Sequence, residues 1–255
     1  MKKYNVILWD LDGTLWDLHG NTQIALKQLF EKYKSSNFES STWEEFTSNY
    51  EIFNERVWAL YREGKIVKEE LRTKRFSDLF NSVHANYTPE FVSQFADEFL
   101  FICPRLNTMI PGALDVLLAS QKDYINVMIT NGFIEVQGIK MDSANIRNYF
   151  QHVVYSEEAG VRKPNRAIFD LALEKASARP EQAIMIGDDW EADILGARNA
   201  GIDQVFFEAT EKRLDEITGR KGVRHNYSPT FTIASLHELN NILFENGTER
   251  ESDKH

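Results

Sequence analysis

The apolar run Val6-Ile7-Leu8-Trp9 passes directly into Asp10-Leu11-Asp12-Gly13-Thr14. No other feature constrains the chain as much. The run reads as a buried strand, and side chains alternate along a strand, so Asp10 and Asp12 are expected on one face. Like charges held that close repel, and each disfavours ionisation of the other. Folding alone gains nothing from the arrangement. A metal ion, or a proton kept on one of the pair, would relieve it. Taken alone, the pentapeptide also reads as a strand-end turn whose carboxylates and Thr14 hydrogen-bond backbone amides.

The rest of the chain has two textures. Residues 4–15 and about 105–245 alternate short β-rich runs with helical patterns, as expected for βα units on a parallel sheet. The strand candidates are Val6–Trp9, Ile125–Thr130, His152–Tyr155, Ala183–Gly187, Gln204–Phe207 and Phe231–Ile233. Residues 17–104 carry aromatics at helical spacing and no convincing strand. Thr42 and Glu45 form a capping box ahead of a stripe running through Phe46, Tyr50, Phe53, Val57 and Leu60. Thr88-Pro89 opens a helix bearing Phe91, Phe95 and Phe99. Asn21 is expected to cap an earlier helix with Ala25, Leu29 and Tyr33. These stripes are expected to form a helix-bundle core rather than a base-stacking platform. The expected division is therefore an α/β core of residues 1–16 and 105–245, a helical insert of 17–104 and a flexible tail of 246–255. The insert leaves from the sheet edge where open α/β folds bind ligands, a place suited to a lid.

Composition narrows the function classes. The chain of 255 residues is 42% hydrophobic, enough for a real core, and carries a formal net charge of −10. That balance disfavours a nucleic-acid polymer as partner, because binding one needs a basic face. A small phosphorylated ligand in a locally positive pocket remains compatible with it. Cys103 is the only cysteine, so no intrachain disulfide can form, and the residue is expected to be a small buried hydrophobe. With no signal-like or membrane-length apolar stretch, a cytoplasmic protein without membrane association is expected.

Three further segments follow predicted strands. Thr130-Asn131-Gly132 offers a hydroxyl and an amide to a phosphoryl oxygen, although it also suits a helix cap or turn. Lys163-Pro164-Asn165 places a lysine, biased to extended backbone, ahead of a helix expected to begin at Pro164. Gly187-Asp188-Asp189-Trp190-Glu191-Ala192-Asp193 runs a buried strand into four carboxylates. Some of that charge suits a helix N-terminus. Oxygen-only ligands of this kind also suit Mg²⁺. Neither a Cys/His zinc pattern nor a P-loop accompanies them.

Acid pair, hydroxyl, lysine and acid cluster, each behind its own strand, make the chain resemble the haloacid dehalogenase-like phosphohydrolase superfamily. The resemblance covers the whole α/β part, and the insert is similar to the helical cap of one large class. It implies a Rossmann-like parallel sheet flanked by helices, with an inserted α-helical cap domain. It also implies a Mg²⁺-dependent phosphomonoesterase acting on a small phosphorylated metabolite. Asp10 is then the nucleophile, Asp12 the general acid and base, and Thr130, Asn131 and Lys163 the phosphate holders. Mg²⁺ is expected on Asp10, Asp188 and the backbone carbonyl of Asp12. Asp193 is expected to orient Lys163 or a metal-bound water, with Asp189 a more distant acid.

The segments Ile129–Phe133, Ser156–Val161, Lys163–Asn165, Asp193–Ala197 and Ser235–Leu239 further resemble the branch containing pyrimidine-preferring 5′-nucleotidases. A nucleoside 5′-monophosphate is the expected substrate. The competing expectations are a phosphosugar or phosphoglycolate phosphatase, a phosphosugar mutase with the same cap type, and a catalytically silent binding protein. Asp12 and Asp188 argue against a dehalogenase. Among residues that could meet the substrate are Trp16, Asp17, His19, Arg72, Lys74 and Arg75, the last in a pair with Phe76 similar to one recurring in the nucleotidase branch.

Overall fold

A computed structural model describes residues 4–208 and 227–244. The expected tail of 246–255 lies outside the described residues. The chain divides into two compact units, Met1–Leu18 with Asn107–His255, and His19–Leu106.

In the first unit, six strands form one parallel sheet: β1 (Val6–Trp9), β2 (Ile125–Thr130), β3 (His152–Tyr155), β4 (Ala183–Gly187), β5 (Asp203–Phe207) and β6 (Phe231–Ile233). Their order is β3-β2-β1-β4-β5-β6. The chain winds one way from β1 through β2 to β3 and the other way from β4 to β6. The switch point therefore lies at β1, where open α/β sheets leave a crevice beyond the strand ends. Trp9 pairs with Met128 on one side and Ile186 on the other, which brings the chain beyond β1, β2 and β4 to the same edge. The central strands β1 and β4 are buried along their whole length and read as continuous apolar runs because both faces are covered. Val6, Leu8, Val127, Ile129, Met185 and Phe169 belong to one buried cluster.

The second unit is helical. α1 (Leu18–Asn37), α2 (Trp43–Arg62), α3 (Lys68–Ser82) and α4 (Pro89–Ile102) carry its apolar stripes. The Thr42–Glu45 capping box and the Thr88 cap are both present. Phe38, Phe46, Phe76, Phe80 and Phe95 are fully buried, and their rings meet at tilted and edge-on angles. The aromatics are thus spent on a core, not on a stacking platform. Cys103 is buried, with its Sγ 3.9 Å from Thr22 Oγ1. Asn21 is not a cap: α1 begins three residues earlier, at Leu18, and Asn21 is buried within it. No helix among the described residues is long and apolar enough to cross a membrane.

Among the described residues, the α-helices of the sheet unit are α5 (Ala113–Ser120), α6 (Ile134–Ser143), α7 (Ser156–Ala159), α8 (Arg166–Lys175) and α9 (Gly196–Asn199). Pro164 does not open α8. The Lys163–Pro164 bond is cis, and Asn165 caps the helix instead, its Oδ1 accepting from Ala167 N at 2.9 Å. An asparagine at that position satisfies an otherwise unpaired amide, which outweighs the preference of proline for a first turn.

Candidate active site

The regular ladder of β1 ends at Trp9, and Asp10 is fixed just beyond it by its backbone N–H, which donates to Ile186 O at 3.0 Å. Its carboxylate is buried. Lys163, itself only 4% exposed, donates from Nζ to Asp10 Oδ1 and to Asp193 Oδ1, each at 2.6 Å. Burial opposes the charge on Lys163, but Asp10 and Asp193 outweigh it and hold the ammonium above the ordinary lysine pKa.

Asn131 sets this lysine. Its side-chain Nδ2 donates to Lys163 O at 3.0 Å, and its Oδ1 accepts from Lys163 N at 2.9 Å. The Asn131 amide is therefore committed to the lysine backbone. Thr130 Oγ1 accepts from Gly132 N at 3.0 Å, which leaves its hydroxyl hydrogen available to a ligand.

Oxygen atoms of Asp10, Asp188 and Asp193 all lie within 4.8 Å of one another. Burial raises the pKa of Asp188 well above the ordinary carboxylate value, and the charges of Asp10, Asp193 and Asp189 raise it further. Asp193 is pushed up to about 7, chiefly by burial, with Lys163 opposing. Asp10 is raised by burial against the same lysine. Among the described residues, Asp188 makes no ion pair; the Thr14 hydroxyl donates to its Oδ1 at 3.0 Å. Two buried carboxylates and the half-buried Asp188 share one ammonium, and ionising all three leaves two negative charges unmatched. A divalent cation on oxygen ligands fits that deficit.

Asp193 Oδ1 accepts from Lys163 Nζ, and its Oδ2 accepts from Asp189 N at 3.1 Å. Asp189 turns its own carboxylate to Ala192 N at 2.8 Å, capping the wide π-type turn Trp190–Leu195. Its side chain is thus spent on the turn, while Glu191 faces solvent.

Asp12 has partners of its own. Its Oδ1 accepts from Lys140 Nζ at 2.6 Å and its Oδ2 from Gln137 Nε2 at 2.7 Å. The two acids of the first motif therefore each face a different buried lysine, although the Asp12 charge still raises the pKa of Asp10. Gln137 and Lys140 had no place in the sequence reading. Their signal was a polar pair three residues apart on the helix after Thr130, in the register that shares one helical face.

The other candidates are placed as follows. Trp16 is fully buried, its ring 4.3 Å from Lys140 Nζ. Asp17 N donates to Thr108 O at 3.1 Å, and His19 pairs with Glu51 at 3.1 Å. In the helical unit, Lys74 pairs with Asp78 at 3.1 Å. Arg75 is buried between the rings of Phe76 and Phe99 and donates to Asn54 Oδ1 at 3.1 Å.

The chain is 34% identical over 246 residues to the pyrimidine 5′-nucleotidase YjjG of Escherichia coli (strain K12), covering 94% of this chain and 98% of that protein. It is 28% identical over 249 residues to the pyrimidine 5′-nucleotidase PynA of Streptococcus pneumoniae (strain ATCC BAA-255 / R6), covering 97% and 98%. Among solved structures it resembles the HAD-hydrolase YfnB of Bacillus subtilis bound to magnesium. There the TM-score is 0.78 and the identity 25%, across 95% of this chain and 99% of that one. Residues 4–201 match the model of the haloacid dehalogenase-like hydrolases, a span that holds Asp10, Lys163 and the Asp188–Asp193 acids, and the chain belongs to that family.

Proposed function

We propose that the protein is a Mg²⁺-dependent phosphomonoesterase that hydrolyses nucleoside 5′-monophosphates, with pyrimidine nucleotides preferred. One observation carries the chemistry: a buried lysine 2.6 Å from both Asp10 and Asp193, with Asp188 grouped beside those two acids. The substrate class is supported by the two nucleotidase relatives, which align over nearly their full length.

Asp10, Asp188 and the backbone carbonyl of Asp12 would hold the ion, with Asp193 close behind. When bound, Mg²⁺ supplies positive charge that offsets repulsion between carboxylate and phosphate. Asp10 attacks phosphorus in line, forming an aspartyl-phosphate as the bond to the leaving oxygen breaks. Asp12 gives that oxygen its proton. It then takes a proton from the water that attacks the aspartyl-phosphate, releasing phosphate and restoring Asp10. Thr130 and Lys163 hold the phosphoryl oxygens on which charge spreads in the transition state. The Asn131 side chain serves indirectly by fixing Lys163, and its backbone N–H is the group it has left for phosphate.

The test is phosphate release from a panel of purine and pyrimidine monophosphates and sugar phosphates at equal concentration, with Mg²⁺ and with chelator. Mg²⁺-dependent release with kcat/KM highest for a pyrimidine monophosphate is the expected result. A sugar phosphate at the top of the ranking would overturn the substrate class but not the chemistry. Undiminished turnover in chelator would overturn the role of the metal.

A further inference from the structure

Asp12 must deliver and take protons, yet its carboxyl group is partly open to solvent, with the side chain 24% exposed. A carboxylate there would ordinarily sample several orientations. Here both of its oxygens are taken by donors from α6: Lys140 Nζ at 2.6 Å on Oδ1 and Gln137 Nε2 at 2.7 Å on Oδ2. Both donors are buried, Gln137 at 1% and Lys140 at 5% exposure. They stand three residues apart and so leave the same face of the helix.

Two details show that the geometry favours Asp12 over the donors themselves. Gln137 Oε1 is buried without a hydrogen-bond partner. Turning the amide over would set that oxygen against the carboxylate, so the orphan acceptor is the consequence of keeping Nε2 on Asp12. The route of the side chain is equally particular. A Cβ on Gly132 would lie 1.6 Å from Gln137 Nε2, so Gln137 reaches Asp12 only because Gly132 has no side chain. Lys140 is steadied in turn by the face of Trp16, 4.3 Å from its Nζ.

We propose that Lys140 and Gln137 are positioning residues that clamp the carboxyl group of Asp12 in the orientation needed to protonate the leaving oxygen. The inference rests on the phosphomonoesterase reading above. Each carboxylate oxygen keeps a lone pair beyond the one the clamp uses, so the proton can still be carried and delivered. The clamp bears on the first chemical step to the degree that the leaving group needs a proton. An alkoxide leaving from a nucleotide needs one; a nitrophenolate scarcely does.

The experiment compares kcat/KM for uridine 5′-monophosphate and for p-nitrophenyl phosphate in wild type, Lys140→Met and Gln137→Leu. kcat/KM reports events up to the first irreversible step and so isolates protonation of the leaving group from later hydrolysis of the phosphoenzyme. The clamp predicts a loss approaching the ~10²-fold lower range of general acid catalysis on the nucleotide, and less than about tenfold on the aryl phosphate. Equal losses on both substrates would assign the pair a merely structural role, and no loss on either would make it a bystander; both results overturn the inference. The second variant removes no charge, so it still reads the clamp if Lys140→Met folds poorly. If the wild type cleaves the aryl phosphate but not the nucleotide, the substrate reading fails, and the same ratio is taken on the alkyl monophosphate it does cleave. A wild type that cleaves no phosphate monoester overturns the parent reading and the clamp together.

Discussion

Gly13 and Asp188 are in contact: a Cβ at Gly13 would stand 2.3 Å from Asp188 Oδ2. Gly13 also holds φ at +89°, a region that side chains disfavour. The turn after β1 thus lies against the acid that β4 delivers, which is possible only with glycine there. Gly13→Ala is expected to displace the Asp188 carboxylate and to weaken Mg²⁺ binding at least about tenfold. Strain of this kind is also expected to cost about 1–3 kcal/mol of stability. Calorimetric titration with Mg²⁺ and denaturant unfolding check the two effects separately.

Lys163→Met should damage the fold as well as the chemistry. It would leave Asp10 and Asp193 buried without their shared cation, and breaking a buried pair from one side typically costs about 3–5 kcal/mol. The two acids can escape part of that by taking up protons. The loss in denaturant unfolding is therefore expected to be larger at about pH 8 than at about pH 5.

The acid cluster gives the metal-free protein a definite pH dependence. Asp193 is raised from 3.8 to about 7, and Asp10 and Asp188 are raised as well. In the folded state these groups keep protons that the unfolded chain has already released. Their contribution is fully present below the unfolded value, near pH 4, and declines as pH rises toward the folded value, near 7 for Asp193. Thermal melts in chelator should show Tm falling across that window. Mg²⁺ should restore Tm most at the upper end, because it binds the deprotonated carboxylates.

Asp12→Ala is expected to lower kcat by ~10²–10⁴-fold, the usual contribution of general acid–base catalysis. Mg²⁺ affinity should change little, because the Asp12 side chain faces Lys140 and Gln137. Steady-state kinetics together with a Mg²⁺ titration would check both halves.

Much of this architecture was legible from residue order. Each strand was marked by a short apolar run, and the acids, hydroxyl and lysine were marked by standing immediately behind those runs. What escaped were facts that depend on which strands become neighbours. Lys163 is legible as a phosphate holder, but its contact with Asp10 depends on the sheet order that sets it between Asp10 and Asp193. The local sequence at Asn131 cannot show that its side-chain amide is taken up by the Lys163 backbone 32 residues away. The partners of Asp12 lie 125 and 128 residues downstream, on α6, where Gln137 and Lys140 look like the solvated side of a helix. The helix start at Asn165 rather than Pro164 turned on a side-chain cap that outweighed the simpler proline rule.

The central claim is that Asp10 attacks the phosphoryl group. The most direct measurement is Mg²⁺-dependent turnover of uridine 5′-monophosphate by Asp10→Asn beside wild type, with acid-quenched wild type analysed by peptide mass. No turnover is expected in a folded variant, and one phosphoryl group is expected on the wild-type peptide that carries Asp10. Turnover by Asp10→Asn at the wild-type rate, or a phosphoryl group on a different residue, would contradict it.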